Sequence, residues 1–497
     1  MKISKWSFRL LIFILLFQFL LFCFSFFVNK NVSFASSIAN ANTNADTKTN
    51  TNTNAEDTNH INNSINAINS TDNVNDLSIY SPNCILMEAS SGRILYAKDA
   101  QEVVFPASTT KIMTAILALE NCELTDIATV SHNAIFSVPA SYSHASLKEG
   151  EELTIEQLLN VLLIPSANDA ANVLAEHISG SVDDFAVLMN EKAKEIGCLN
   201  THFVNPNGVH NDEHTTTAYD LALMGRYAMQ NSTFRSIVKK TRYSLPATNK
   251  YNKADRIFNT TNDLLRENNS TAKDNYYYEY ATGIKTGYTT DAGSCIVASA
   301  KKDNMEVIAV VLGGGTTKDG LSERNLDCIT LFDYAFENYS MQTVQEKNNV
   351  LEEITVRGAT SDTRKLNVLV KDDISILLSS EENAQNLEPE ITYRDNLKAP
   401  ISANEAIGKI TYQVGDETYS SDLLAETSVI ASGFLPILLR ILLIFVTLYL
   451  LYILLKPKNK NKKHGSGSYT KATKKSKKRK KKGGHFRCMQ LNNFELL

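Results

Sequence analysis

Ser108 and Lys111 stand three positions apart in Phe105-Pro106-Ala107-Ser108-Thr109-Thr110-Lys111-Ile112-Met113, at the head of an apolar run that continues to Leu119. The spacing predicts a helix in which both side chains share one face, a turn apart. A hydroxyl and an amine held that close can act as nucleophile and base. The helix start adds unpaired N–H groups and the positive end of the dipole, the makings of part of an oxyanion site. Alone the pattern is ambiguous, because an N-cap Ser followed by a solvated Lys gives the same text. Ser236-Ile237-Val238-Lys239 and Ser299-Ala300-Lys301-Lys302 also match it.

Two later clusters bear on the choice. Ser166-Ala167-Asn168 follows Pro165, where a loop enters a helix, and Lys285-Thr286-Gly287 lies just ahead of a hairpin. Ser131-His132-Asn133 imitates the first, but Lys-Thr-Gly is rare. The three patterns in this order, each at a helix start or strand edge, form a strong combined signal.

The elements that must position them follow from periodicity. Asn83 to Met87 and Arg93 to Ala97 flank Ser90-Ser91-Gly92 as a hairpin. Apolar spacing predicts helices over Thr154 to Ile164, Ser166 to His177, Asp183 to Ile196, Thr217 to Met229 and Ser322 to Tyr339. Ser294 to Ala300 and Met305 to Leu312 read as a second hairpin. Strands at both ends with helices between predict an α+β fold, an antiparallel sheet flanked by helices. From Gln342 to Asp422 short alternating runs predict a small all-β domain. Tyr276-Tyr277-Tyr278-Glu279-Tyr280 reads as strand or lid packing.

The ends have a different character. Lys2, Lys5 and Arg9 precede an apolar run, and small residues follow near Ala35, which predicts a secretory signal, or a retained signal anchor, over 1–35. An Asn/Thr-rich tract over 36–76 cannot bury enough to fold. Residues 77–341 are expected to form the catalytic domain and 342–422 the β-rich one. Residues 434–455 are long and apolar enough for a transmembrane helix, and 456–497 form a basic tail. Lys456 to Lys482 hold 14 Lys or Arg and no acid, so the rest carries −18 against a whole-chain charge of −4. An acidic body with a basic tail argues against nucleic-acid binding. The positive-inside rule puts the body outside the cell membrane and the tail in the cytoplasm. Seven cysteines form no C-x-x-C pair and no His pair has ligand spacing, so neither a metal nor a cofactor is expected.

Ser108-x-x-Lys111, Ser166-Ala167-Asn168 and Lys285-Thr286-Gly287 resemble the signature set of the penicilloyl-serine transferases. Phe203-Val204-Asn205-Pro206-Asn207-Gly208-Val209, His214 to Asp220 and Leu397 to Ile401 extend the likeness over about Ser81 to Asp422. Within that superfamily the chain resembles the serine-type D-alanyl-D-alanine carboxypeptidases, the low-molecular-mass penicillin-binding proteins of peptidase family S11. The resemblance implies a β-lactamase/transpeptidase-like catalytic domain that trims the terminal D-Ala from peptidoglycan stem peptides outside the membrane, with β-lactams as covalent inhibitors.

The resemblance also implies roles. Ser108 attacks and Lys111 is the base, its pKa lowered by burial and neighbouring cations. Ser166 relays a proton to the leaving amine, and Asn168 holds a substrate amide. Lys285 and Thr286 meet the substrate carboxylate, with Arg324 assisting. Gly287 lets the strand approach closely, and the N–H groups of Ser108 and Tyr288 form the oxyanion hole. Asn207 and His210 are expected to be turn residues. A β-lactamase, an endopeptidase and a non-enzymatic penicillin sensor use the same text and stay open here. Many relatives end in an amphipathic helix lying on the membrane, where this chain has a spanning segment.

Overall fold

The computed structural model describes residues 77–253, 256–267, 275–415 and 417–456. The expected leader, the Asn/Thr-rich tract and the basic tail beyond Lys456 lie outside the described residues.

Strands β1 (Asn83–Glu88) and β2 (Ile94–Lys98) form the first expected hairpin. Helix α1 (Lys111–Asn121), a short hairpin of β3 (Ile127–Thr129) with β4 (Glu152–Thr154), and helices α2 (His132–Phe136), α3 (Ile155–Leu163), α4 (Asn168–Ser179) and α5 (Val182–Ile196) follow. Then come α6 (Ala218–Ala228), α7 (Ser232–Val238) and a hairpin of β5 (Arg242–Leu245) with β6 (Arg256–Asn259). Strands β7 (Ala281–Thr289), β8 (Gly293–Lys302) and β9 (Met305–Gly314) complete the main sheet, and α8 (Glu323–Asn338) closes the domain. The main sheet is antiparallel throughout, in the order β2-β1-β9-β8-β7, so β7 lies on its edge.

Side-chain alternation explains why β9 reads as an unbroken apolar run. Ile308, Val310 and Leu312 enter a core shared with α1, α3, α4 and α6, while Val307, Ala309 and Val311 enter a second core shared with α8. Both faces of the sheet are therefore covered, and neither strand face can be polar. On α1, Ile112, Met113, Ile116 and Leu117 are all buried. At roughly 1.5–3 kcal/mol per large side chain that is a gross gain of about 6–12 kcal/mol, set against the cost of taking the Lys111 amine at the helix start out of water. Helix α3 starts at a capping box in which Thr154 Oγ1 accepts from Gln157 N and Gln157 Oε1 accepts from Thr154 N.

The second domain is all-β, as the alternating runs imply. Strands β10 (Tyr339–Gln345), β11 (Val350–Thr355), β12 (Lys365–Val370), β13 (Ile374–Ser379), β14 (Glu390–Tyr393), β15 (Ala406–Val414) and β16 (Glu417–Ala425) form it. One sheet runs β11-β12-β16-β15-β14, and β10 pairs with β13. Helix α9 (Phe434–Leu455) is 22 residues long, about 33 Å at 1.5 Å per residue, and apolar enough to cross a bilayer.

Candidate active site

The residues before α1 differ from a plain helix start. Ala107–Thr110 form a 3-10 turn, Ala107 has a left-handed φ of 48°, and the α-helix begins only at Lys111. Thr109 Oγ1 donates to Pro106 O (2.7 Å) and Thr110 Oγ1 to Ala107 O (2.8 Å), which ties the turn back on itself. His214 braces it from behind. Its Nδ1 accepts from Val204 N (3.0 Å), so Nε2 carries the hydrogen given to Thr110 Oγ1 (2.8 Å). Burial, helped by His202 and Lys111, pushes its pKa down to about 3, and the ring is a neutral strut.

Lys111 is fully buried, and its Nζ donates to Ser108 Oγ (3.0 Å), Asn168 Oδ1 (2.7 Å) and Asn207 O (2.5 Å). Burial first, then the charge of Lys285, holds its pKa well below the ordinary lysine value, with Asp169 opposing. The partner set has a consequence for proton flow. A neutral amine has two N–H bonds and one lone pair. The Asn207 carbonyl and the Asn168 amide oxygen can only accept, so they take both hydrogens. The lone pair is left to Ser108, the one partner that can donate.

The second cluster opens α4. Ser166 has a φ of 67°, an uncommon strained value for a side-chain-bearing residue, and its buried Oγ has no hydrogen-bond partner among the described residues. Besides bonding Lys111, Asn168 donates through Nδ2 to Ser143 O (3.0 Å), which fixes the orientation of its amide. The buried Asp169 carboxylate accepts from Ala145 N and Leu147 N (3.1 Å), anchoring the loop that carries Ser143.

The third cluster lies on the edge strand β7. Lys285 is buried and donates to Thr286 O (2.8 Å). Burial, with the charge of Arg324, brings its pKa down to about 7. Thr286 Oγ1 shares a hydrogen bond of 2.5 Å with Thr261 Oγ1. A Cβ on Gly287 would lie 3.0 Å from Ser108 N and 3.1 Å from Pro106 O, so β7 abuts the Ser108 turn as closely as a glycine allows. Tyr288 follows, its side chain exposed. Arg324 reaches β7 from α8, with Nη1 donating to Gly287 O (3.1 Å).

The structure thus bonds Ser108, Lys111 and Asn168 directly and sets Gly287 against them. Lys285 acts on Lys111 through its charge, and Ser166 makes no bond to either. Sequence reasoning placed Asn207 in a turn and missed that its carbonyl holds Lys111. It also missed His214, Asp169 and Ser143. Asn205-Pro206-Asn207-Gly208 signals a turn, but only the folded chain shows where that carbonyl points. The imitators are accounted for: Ser131 caps α2, while Ser236 and Ser299 lie on α7 and β8. Cys84, Cys122, Cys198, Cys295 and Cys328 are free thiols. Tyr278 packs on Phe332, with centroids 5.3 Å apart.

Gly208 has a φ of 81°, and a Cβ there would fall 1.9 Å from Ala107 O, whereas Gly180, at 82°, has nothing within 4 Å. Gly180→Ala is expected to cost about 1 kcal/mol from backbone strain alone. Gly208→Ala adds a main-chain clash and is expected to cost on the order of 3 kcal/mol or more. Urea denaturation of the two variants checks this, and equal losses would refute the close approach.

Residues 69–316 match the family described as D-alanyl-D-alanine carboxypeptidase, and residues 339–431 match the penicillin-binding protein 5 C-terminal domain. D-alanyl-D-alanine carboxypeptidase DacF of Bacillus subtilis (strain 168) is 33% identical over 369 residues, 72% of this chain and 87% of that one. Among solved structures, a peptidoglycan synthesis regulatory factor (PBP3) from Streptococcus pneumoniae matches with a TM-score of 0.61 at 25% identity, over 71% of this chain and 100% of that one. Penicillin binding protein 5 from Haemophilus influenzae matches with a TM-score of 0.56 at 26% identity, over 71% and 98%.

Proposed function

The chain belongs to the D-alanyl-D-alanine carboxypeptidase family, and from that premise we propose how its own residues carry out the reaction. It is a serine-type D-Ala-D-Ala carboxypeptidase. Neutral Lys111 takes the hydroxyl proton as Ser108 Oγ attacks the carbonyl between the two D-Ala residues of a peptidoglycan stem. The oxyanion lies between the N–H groups of Ser108 and Tyr288. Ser166 passes the proton from Lys111 to the departing D-Ala amine. Asn168 holds the acyl side by its free amide hydrogen. Lys285 and Thr286 meet the terminal carboxylate. Water then hydrolyses the ester on Ser108 by the same base.

The observation that carries this assignment is the partner set of Lys111, which leaves its lone pair for Ser108 alone. A β-lactam enters by the same attack, but its leaving group stays tethered. Slow release therefore separates this enzyme from a β-lactamase. Glu191 and Glu195, the carboxylates between the second and third clusters, lie exposed on α5, where Glu195 pairs with Lys192 (2.8 Å). Helix α9 is compatible with membrane anchoring. The acidic body then lies outside and the basic tail inside the cytoplasmic membrane.

The test uses the full chain in detergent with a pentapeptide ending in D-Ala-D-Ala. Stoichiometric release of one D-Ala is expected, together with a long-lived penicillin adduct. No release, or rapid penicillin turnover, would overturn the proposal.

A further inference from the structure

Gly287 is the residue on which β7 approaches the nucleophile, and it is also the residue least able to hold its own backbone. It has no side chain, it lies on an edge strand, and glycine permits more backbone conformations than any other residue. Arg324 Nη1 donates to Gly287 O (3.1 Å) and to Cys295 O (3.4 Å). Gly287 and Cys295 face each other across the β7–β8 ladder, so one guanidinium caps both strands at this point. Among the described residues Arg324 has no carboxylate within ion-pair distance. Asp263, a carboxylate whose charge acts on it, is bonded to Arg266 and to Asn325 Nδ2 (3.3 Å). The charge of Arg324 is thus directed at backbone oxygens.

The Gly287 carbonyl and the Tyr288 N–H belong to one trans peptide unit and point to opposite sides of it. A cation on the oxygen fixes the plane and draws electron density from the nitrogen, making the N–H a stronger donor. We infer that Arg324 is a positioning residue of the oxyanion site, holding the Gly287–Tyr288 peptide plane from behind so that the Tyr288 N–H meets the developing oxyanion. This rests on the carboxypeptidase reading and deepens it. A guanidinium that only met the substrate carboxylate would act on the leaving D-Ala. One that holds the oxyanion donor acts on every acyl donor.

The experiment compares wild type, Arg324→Met and Arg324→Lys, as the full chain in detergent, on two N-acyl-D-alanyl thioesters. Their leaving groups differ only in bearing a carboxylate or a neutral methyl ester. Removing an oxyanion donor outright costs about 10²–10³-fold in rate. A donor left in place but unsupported is expected to cost about 10–100-fold. Arg324→Met is expected to slow acylation by that factor on both thioesters, mainly in kcat, and Arg324→Lys to recover part of it. A boronic acid without a carboxylate, which forms a tetrahedral adduct on Ser108, is expected to lose affinity by a similar factor. Loss confined to the carboxylate-bearing thioester, or to KM, would overturn the positioning role. Should Arg324→Met fail to fold, Arg324→Lys alone decides, since equal partial losses on both thioesters support the role and a loss on one refutes it. A wild-type protein acylated by neither thioester would overturn the enzyme reading itself, and the positioning role with it.

Discussion

Replacing Ser108 by Ala is expected to cut D-Ala release on the order of 10⁴- to 10⁶-fold and to abolish the penicillin adduct, with stability changed by only about 1 kcal/mol. The contrast follows from how little structure the hydroxyl supports. Ser108 is half-buried, and the hydrogen bond to its Oγ comes from Lys111, which keeps Asn168 and Asn207 as partners when the hydroxyl goes. The turn itself is held by Thr109, Thr110 and His214 rather than by Ser108. Intact-protein mass spectrometry after penicillin treatment, beside a thermal melt, reads both halves. An adduct on the Ala variant would move the nucleophile elsewhere, and a collapsed melt would make Ser108 a structural residue.

Lys111→Arg is expected to lower acylation by about 10²- to 10⁴-fold, the range contributed by a positioned general base. The substitution keeps hydrogen-bond donors but fixes a positive charge and removes the lone pair, because a guanidinium does not deprotonate in proteins. The pH profile gives the sign. With the neutral amine as the proposed base, acylation is expected to rise with pH through a pKa that burial and Lys285 hold well below 10.5. The rise is absent in Lys111→Arg. Stability follows the same proton. The unfolded chain keeps a proton that the folded site gives up, so stability increases with pH between the lowered folded pKa and 10.5, and is lost as pH falls through the folded value. Acylation that is flat in pH for wild type, or unchanged in Lys111→Arg, would remove Lys111 from the base role.

The parts of the molecule that were legible from sequence are those written in side chains. Apolar periodicity located α3 to α6 and α8, the hairpin pattern located β1–β2 and β8–β9, and alternation located the all-β domain. The site's hydroxyls, amines and amide were legible for the same reason, since Ser, Lys and Asn carry their chemistry in their identity. The backbone contributions were not. Nothing local says that Ala107 turns left-handed, that Asn207 presents a carbonyl to an amine 96 positions away, or that His214 props a turn 104 positions away. These depend on which surfaces meet after folding. The expected α-helical Ser108 became a 3-10 residue because the Thr109 and Thr110 hydroxyls bond back to the carbonyls of Pro106 and Ala107. The short β5–β6 hairpin and α7 escaped because their runs are too brief for either period to show.

The strand β10 begins at Tyr339, directly after α8, and pairs with β13, whose Leu377 is buried in the α8-side core together with Leu86, Leu95 and Leu331. Arg93, just ahead of β2, adds a bond to Leu377 O (3.2 Å). A residue of the second domain is thus a core residue of the first. The border is a shared interior, so the stabilities of the two domains are expected to be coupled. Trimming the chain to its catalytic half would remove Leu377 and strip β10 of its partner, leaving an exposed edge and an incomplete core under α8.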